Sequence, residues 1–121
     1  MSVDAKAAAN LGRKWLPGGR GPAGGLDCLG LAIQVCDPPP PDVRSMEFDG
    51  STMADCYEVI DGERCPGDLL IYHSIRKGKR VAHLSIVADN PGWCWTTTEK
   101  TGVVKLRTCQ LPQAKAYRRK C

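Results

Sequence analysis

The chain has 121 residues, of which 42% are hydrophobic and 25% charged; this balance fits one folded domain over residues 1–121 and excludes the disordered class. No stretch nears the roughly 20 apolar residues needed to cross a bilayer, and residues 1–15 lack the apolar core of a secretory signal, so neither a membrane span nor an export device is expected. The net charge of +4 gathers in residues 76–80 and 118–120, and the three Trp, three Tyr and one Phe fall outside both runs, which argues against a nucleic-acid-binding surface.

In chain order, residues 2–15 predict a helix: Ala5, Ala8, Ala9 and Leu11 are good formers, Ser2 or Asp4 can cap, and Pro17-Gly18-Gly19 ends the pattern. Residues 17–25 hold five glycines and two prolines and form a loop able to bring backbone close to a neighbour. Asp27 is a natural N-cap, and residues 28–35 make a short apolar helix with Cys28 in its first turn. Residues 37–42 are a stiff, Pro-rich connector. A further short helix is expected over 51–60. After the turn at Pro66-Gly67 the period becomes that of strands, at 68–74, 81–88, 93–98, 103–108 and 116–118. Helices followed by an antiparallel meander of about five strands give an α+β architecture with helices against one sheet face.

Seven cysteines are many for this length, but there is no Cys-x-x-Cys, and His73 and His83 form no zinc-ligand pair with any of them, so no metal site and no cofactor are expected. A disulfide-stapled binding module is a rival that a thiol count would test; reduced, buried thiols are the expected state. Cys28 stands apart, because a helix N-terminus favours the thiolate and supplies N–H groups for an oxyanion. As a small apolar-helix residue it is equally readable as core packing. His83 interrupts an apolar strand on the side opposite Leu84 and Ile86 and the same side as Ser85. If the Cys28 helix packs on that side, the two form a nucleophile and base; otherwise His83 is a strand histidine satisfied by backbone. His73 reads as structural or rim.

Gly18-Gly19-Arg20, Gly25-Leu26-Asp27-Cys28-Leu29-Gly30-Leu31, Pro66-Gly67-Asp68-Leu69-Leu70 and His83-Leu84-Ser85-Ile86-Val87, in this order over residues 15–104, resemble the NlpC-type cell-wall peptidases. The resemblance implies a papain-like fold, with Cys28 as nucleophile at the start of a short buried helix and His83 as base. It makes Thr96, or Thr97 with a register slip, the third residue that orients the base. Trp15 stands at the position, three residues before the double glycine, where the family has an oxyanion tyrosine, and offers an indole N–H; Asp27 and Leu29 flank the nucleophile, Leu29 only packing.

The implied activity is hydrolysis of the peptidoglycan stem peptide between D-glutamate and the following diamino acid. The Gly-Arg-Gly-Pro approach and the ending Ala116-Tyr117-Arg118 are more like the short versions found in bacteriophage tails. That implies a virion tail-tip protein, made in the bacterial cytoplasm, partnered by other tail proteins and acting at the cell wall. Two rivals keep the fold: a catalytically weak member serving as a structural plug of the tail, and an amidase or acyltransferase acting on another amide.

Overall fold

The computed structural model describes residues 2–20, 24–42, 56–111 and 114–120. It holds two helices, α1 (Val3–Ala8) and α2 (Cys28–Val35). Six strands follow or intervene: β1 (Tyr57–Ile60), β2 (Leu69–Arg76), β3 (Lys79–Val87), β4 (Trp93–Thr98), β5 (Gly102–Arg107) and β6 (Lys115–Arg119). All pairings are antiparallel, in the order β1-β6-β2-β3-β4-β5.

The first helix is shorter than the sequence predicts. Ser2 caps it, accepting from the Ala5 N–H at 3.0 Å, but the chain leaves the helix after Ala8 and turns through Gly12 at φ 79. The reason is tertiary. Gly12 donates to the Val103 carbonyl of β5 at 3.2 Å, the Arg13 carbonyl accepts from Val103 at 3.0 Å, and the Lys14 carbonyl accepts from Leu26 at 2.9 Å. Bonds to distant strands replace the local i to i−4 bonds that a longer helix would make.

The helix expected over 51–60 is corrected over its described part. Tyr57–Ile60 is a strand, and residues 51–55 lie outside the described residues. Tyr57, Val59 and Ile60 suit a pleated surface, and pairing to β6 from Tyr57↔Arg119 to Ile60↔Ala116 decides the matter. The sheet therefore has six strands instead of five. The final strand does not extend the meander but inserts between β1 and β2, pairing Leu69↔Tyr117 and Leu70↔Ala116.

The basic turn is also tighter than expected. β2 and β3 pair without interruption from Leu69↔Ile86 to Arg76↔Lys79, leaving only Lys77 (φ 51) and Gly78 (φ 74) between them. Two successive left-handed residues match the right-handed twist of a hairpin.

The main core lies on one sheet face, where Leu29, Leu31, Ala32 and Val35 of α2 meet Leu69, Ile71, Leu84, Ile86 and Trp95. Complete burial of such side chains stabilises by about 1.5–3 kcal/mol each. A smaller cluster of Leu70, Val87, Cys94 and Ala116 covers part of the other face.

Candidate active site

α2 starts at Cys28 because Asp27 caps it. The buried Asp27 carboxylate accepts from the Gly30 N–H at 2.7 Å and the Gly18 N–H at 3.2 Å, and it pairs with Arg20. Arg20 also pairs with Asp42 at 2.7 Å, and its carbonyl accepts from Gln34 at 3.0 Å. One carboxylate thus holds the glycine turn against the helix start. The fit leaves no room for side chains: a Cβ on Gly30 would lie 2.0 Å from the Gly19 carbonyl oxygen, and one on Gly19 would lie 2.2 Å from that of Gly25. Gly19 and the glycine of Asp-Cys-x-Gly are therefore packing requirements of one joint, while Gly18 serves it through its left-handed backbone at φ 71.

Trp15 lies half-buried in the strand-like segment whose neighbours Lys14 and Leu16 bond Leu26 in both directions. This places it alongside the approach to Cys28. Leu29 is fully buried in the main core and packs, as expected.

The Cys28 thiol differs from expectation. It is pushed up to about 11, chiefly by burial; the Leu84 N–H opposes the rise, the Asp27 carboxylate adds to it, and the Leu29 and Cys28 N–H groups oppose it more weakly. The helix-terminal N–H groups do act on the sulfur, as the sequence suggests, but desolvation outweighs them.

The body of α2 packs on the side of the sheet opposite the His83 side chain, while the Cys28 thiol at its start reaches the strand edge, where its charge acts on the phenol of Tyr72, the register partner of His83. The apolar residues of α2 need the apolar side of β3, formed by Leu84 and Ile86, and the unbroken ladder keeps His83 on the alternate side. Cys28 meets β3 at the Leu84 N–H, next in sequence to His83. There the ladder between β3 and β4 covers only Ile86↔Trp95 and Val87↔Cys94. Beyond it the Thr96 hydroxyl, buried, donates to the Leu84 carbonyl at 3.1 Å. The structure therefore brings Cys28 and Thr96 to the two backbone groups of one residue, Leu84.

His83 pairs in register with Tyr72, and the two rings stack, with centroids 5.4 Å apart and planes 18° apart. Tyr72 was not singled out by the sequence. The two-residue turn at Lys77-Gly78 makes Tyr72 and His83 partners, and the basic run around it left that register open in the sequence. His73, exposed, faces Ala82 in the register.

Asp68 of the Pro-Gly-Asp corner is buried and structural. It accepts from Arg118 at 3.0 and 2.8 Å and from the Cys65 N–H at 2.7 Å, locking the start of β2 to β6. A cavity of about 400 Å³, lined in part by Cys36, Tyr57 and Arg119, opens at the C-terminal end of α2, with the helix between it and Cys28. Cys28, Cys36, Cys56, Cys65, Cys94 and Cys109 are free thiols. Among the described residues, no three His, Cys, Asp or Glu side chains gather as a metal site.

No protein-family model and no curated protein matches the sequence. Among solved structures, the chain is similar to one from Staphylococcus aureus described as similar to lipoprotein, NLP/P60 family. The TM-score is 0.64 at 24% identity, over 94% of this chain and 39% of that chain. The fold is of the NLP/P60 kind. The antiparallel sheet with few helices is compatible with a papain-like NLP/P60 fold, with six strands described here. The chain spans 39% of the length of that NLP/P60 structure, and among the described residues no helix is long and apolar enough to cross a membrane.

Proposed function

We propose that residues 1–121 are a cysteine-type cell-wall peptidase that hydrolyses the peptidoglycan stem peptide between D-glutamate and the following diamino acid. The observation that supports it is an Asp27-capped helix, in an NLP/P60 fold, that delivers the Cys28 thiol to the Leu84 N–H of β3, one residue along the strand from His83.

In this reading Cys28 Sγ attacks the amide carbonyl while His83 takes the thiol proton. N–H groups of the first turn of α2, with the Trp15 indole N–H, hold the oxyanion. His83 then protonates the leaving amine, and the amide C–N bond breaks to leave a thioester. Water, deprotonated by His83, attacks the thioester and releases the glutamyl carboxylate and the thiol. Thr96 acts on this site through the Leu84 carbonyl. Because burial holds the proton on the free thiol, pushed up to about 11, proton transfer to His83 accompanies attack. Neither metal nor cofactor takes part in these steps. The proposed setting is a phage tail that opens the wall locally, with other tail proteins as partners.

The test is digestion of purified peptidoglycan. The wild type should release soluble muropeptides, and Cys28→Ala should lower release by about a thousandfold or more while its circular dichroism and melting stay unchanged. Equal release by the variant overturns the mechanism, and mass spectrometry of the products identifies the bond. One observation favours a second reading as a structural tail subunit: the Cys28 thiol is raised instead of lowered. Intact wall after treatment with folded wild type would support that reading.

A further inference from the structure

On β4, near the expected place of a third catalytic residue, Trp95 and Thr96 are engaged elsewhere, and the buried Thr97 hydroxyl makes no hydrogen bond. The Trp95 indole N–H donates to Asp4 at 2.9 Å, tying β4 to α1. The Thr96 hydroxyl donates to the Leu84 carbonyl. Across the hairpin, in contrast, one ring lies against the imidazole. Tyr72 and His83 are direct register partners, 5.4 Å between centroids and 18° from parallel, within the offset-stacked geometry that aromatic rings prefer.

We propose that Tyr72 is the positioning residue of His83: its ring fixes the imidazole plane, and hence the directions of both ring nitrogens. The inference rests on the reading of Cys28 and His83 as the reacting pair.

The stack is built into the backbone. Tyr72 cannot slip relative to His83 without breaking a ladder that continues through Arg76↔Lys79 to a two-residue turn. β2 is pinned on its other edge by β6, through Leu69↔Tyr117 to Ile71↔Lys115. Burial pushes the Tyr72 phenol above its ordinary value, so the ring is a neutral π surface at neutral pH. A planar partner restrains rotation of the imidazole about its Cβ–Cγ bond, a torsion that is otherwise broad. A base aimed in advance loses less freedom on reaching the transition state.

The experiment uses the full chain, whose only histidines are His73 and His83; His73→Gln assigns the two sets of imidazole NMR signals. In the wild type the His83 ring protons should resonate upfield of those of the exposed His73, through the ring current of Tyr72. Tyr72→Phe should keep that shift and keep kcat on a soluble muropeptide within about threefold, since the ring is retained. Tyr72→Leu should abolish the shift and lower kcat by about 10- to 100-fold at nearly constant KM, as for a misaimed catalytic group. A Leu variant with unchanged kcat overturns the proposal. If that variant does not fold, a wild-type spectrum without the upfield shift overturns it independently. An inactive wild type would fell the peptidase reading and the positioning role with it, while the ring shift would still report the stack.

Discussion

Cys28 carries two opposing effects on one sulfur. Backbone N–H groups from α2 and from Leu84 draw it toward the thiolate, while burial and the Asp27 carboxylate hold the proton on, and the proton wins, at about 11. The reaction of Cys28 with iodoacetamide should therefore rise about tenfold per pH unit from pH 7 upward, levelling only near pH 11. A labelling rate already flat below pH 8 would show an activated thiolate and contradict this. Cys28 as a candidate was legible in the sequence, because Asp27 and the glycine loop mark a helix start. Its protonation was not, because burial depends on α2 lying under β3.

At the scale of elements, the joint between the glycine turn and α2 positions the nucleophile. Gly30 lies in the helix interior, where glycine is unfavourable by about 1 kcal/mol against alanine. Here that preference is reversed, since an added Cβ would meet the Gly19 carbonyl oxygen at 2.0 Å, a backbone atom that cannot swing aside. Gly30→Ala should destabilise by about 2–3 kcal/mol, read from urea unfolding, and a midpoint equal to wild type would refute the packing argument. The β2–β3 hairpin is the second positioning element. Its strands were legible from their alternation, but its two-residue turn was hidden by the basic run around Gly78, and with it the pairing of Tyr72 to His83. β1 was misread as helix because its partner, β6, enters only at the end of the chain.

At the scale of the molecule, the raised thiols link folding to pH. Cys28 and Cys36 both have folded values above the ordinary one near 9, at about 11 and about 12, each chiefly through burial. The folded protein keeps protons that the unfolded chain gives up above pH 9. Their contribution to stability is therefore fully present below about pH 9 and is lost as pH rises through 11 to 12. The melting temperature should fall more steeply between pH 9 and 11 in the wild type than in a Cys28→Ala, Cys36→Ala double variant; parallel curves would contradict the linkage. By itself the sequence determined the capped helix with Cys28 in its first turn, the glycine joint, the strands β2 to β6 and the candidacy of His83. Those features rest on local propensity, capping and period, which act over a few residues. Only the tertiary structure decided the length of α1, the strand character of Tyr57–Ile60, the sheet face on which α2 lies, the engagement of Thr96 with Leu84, and the Tyr72 stack. Each of these depends on pairing between residues far apart in the chain, and the free energy of that pairing overrides local preference.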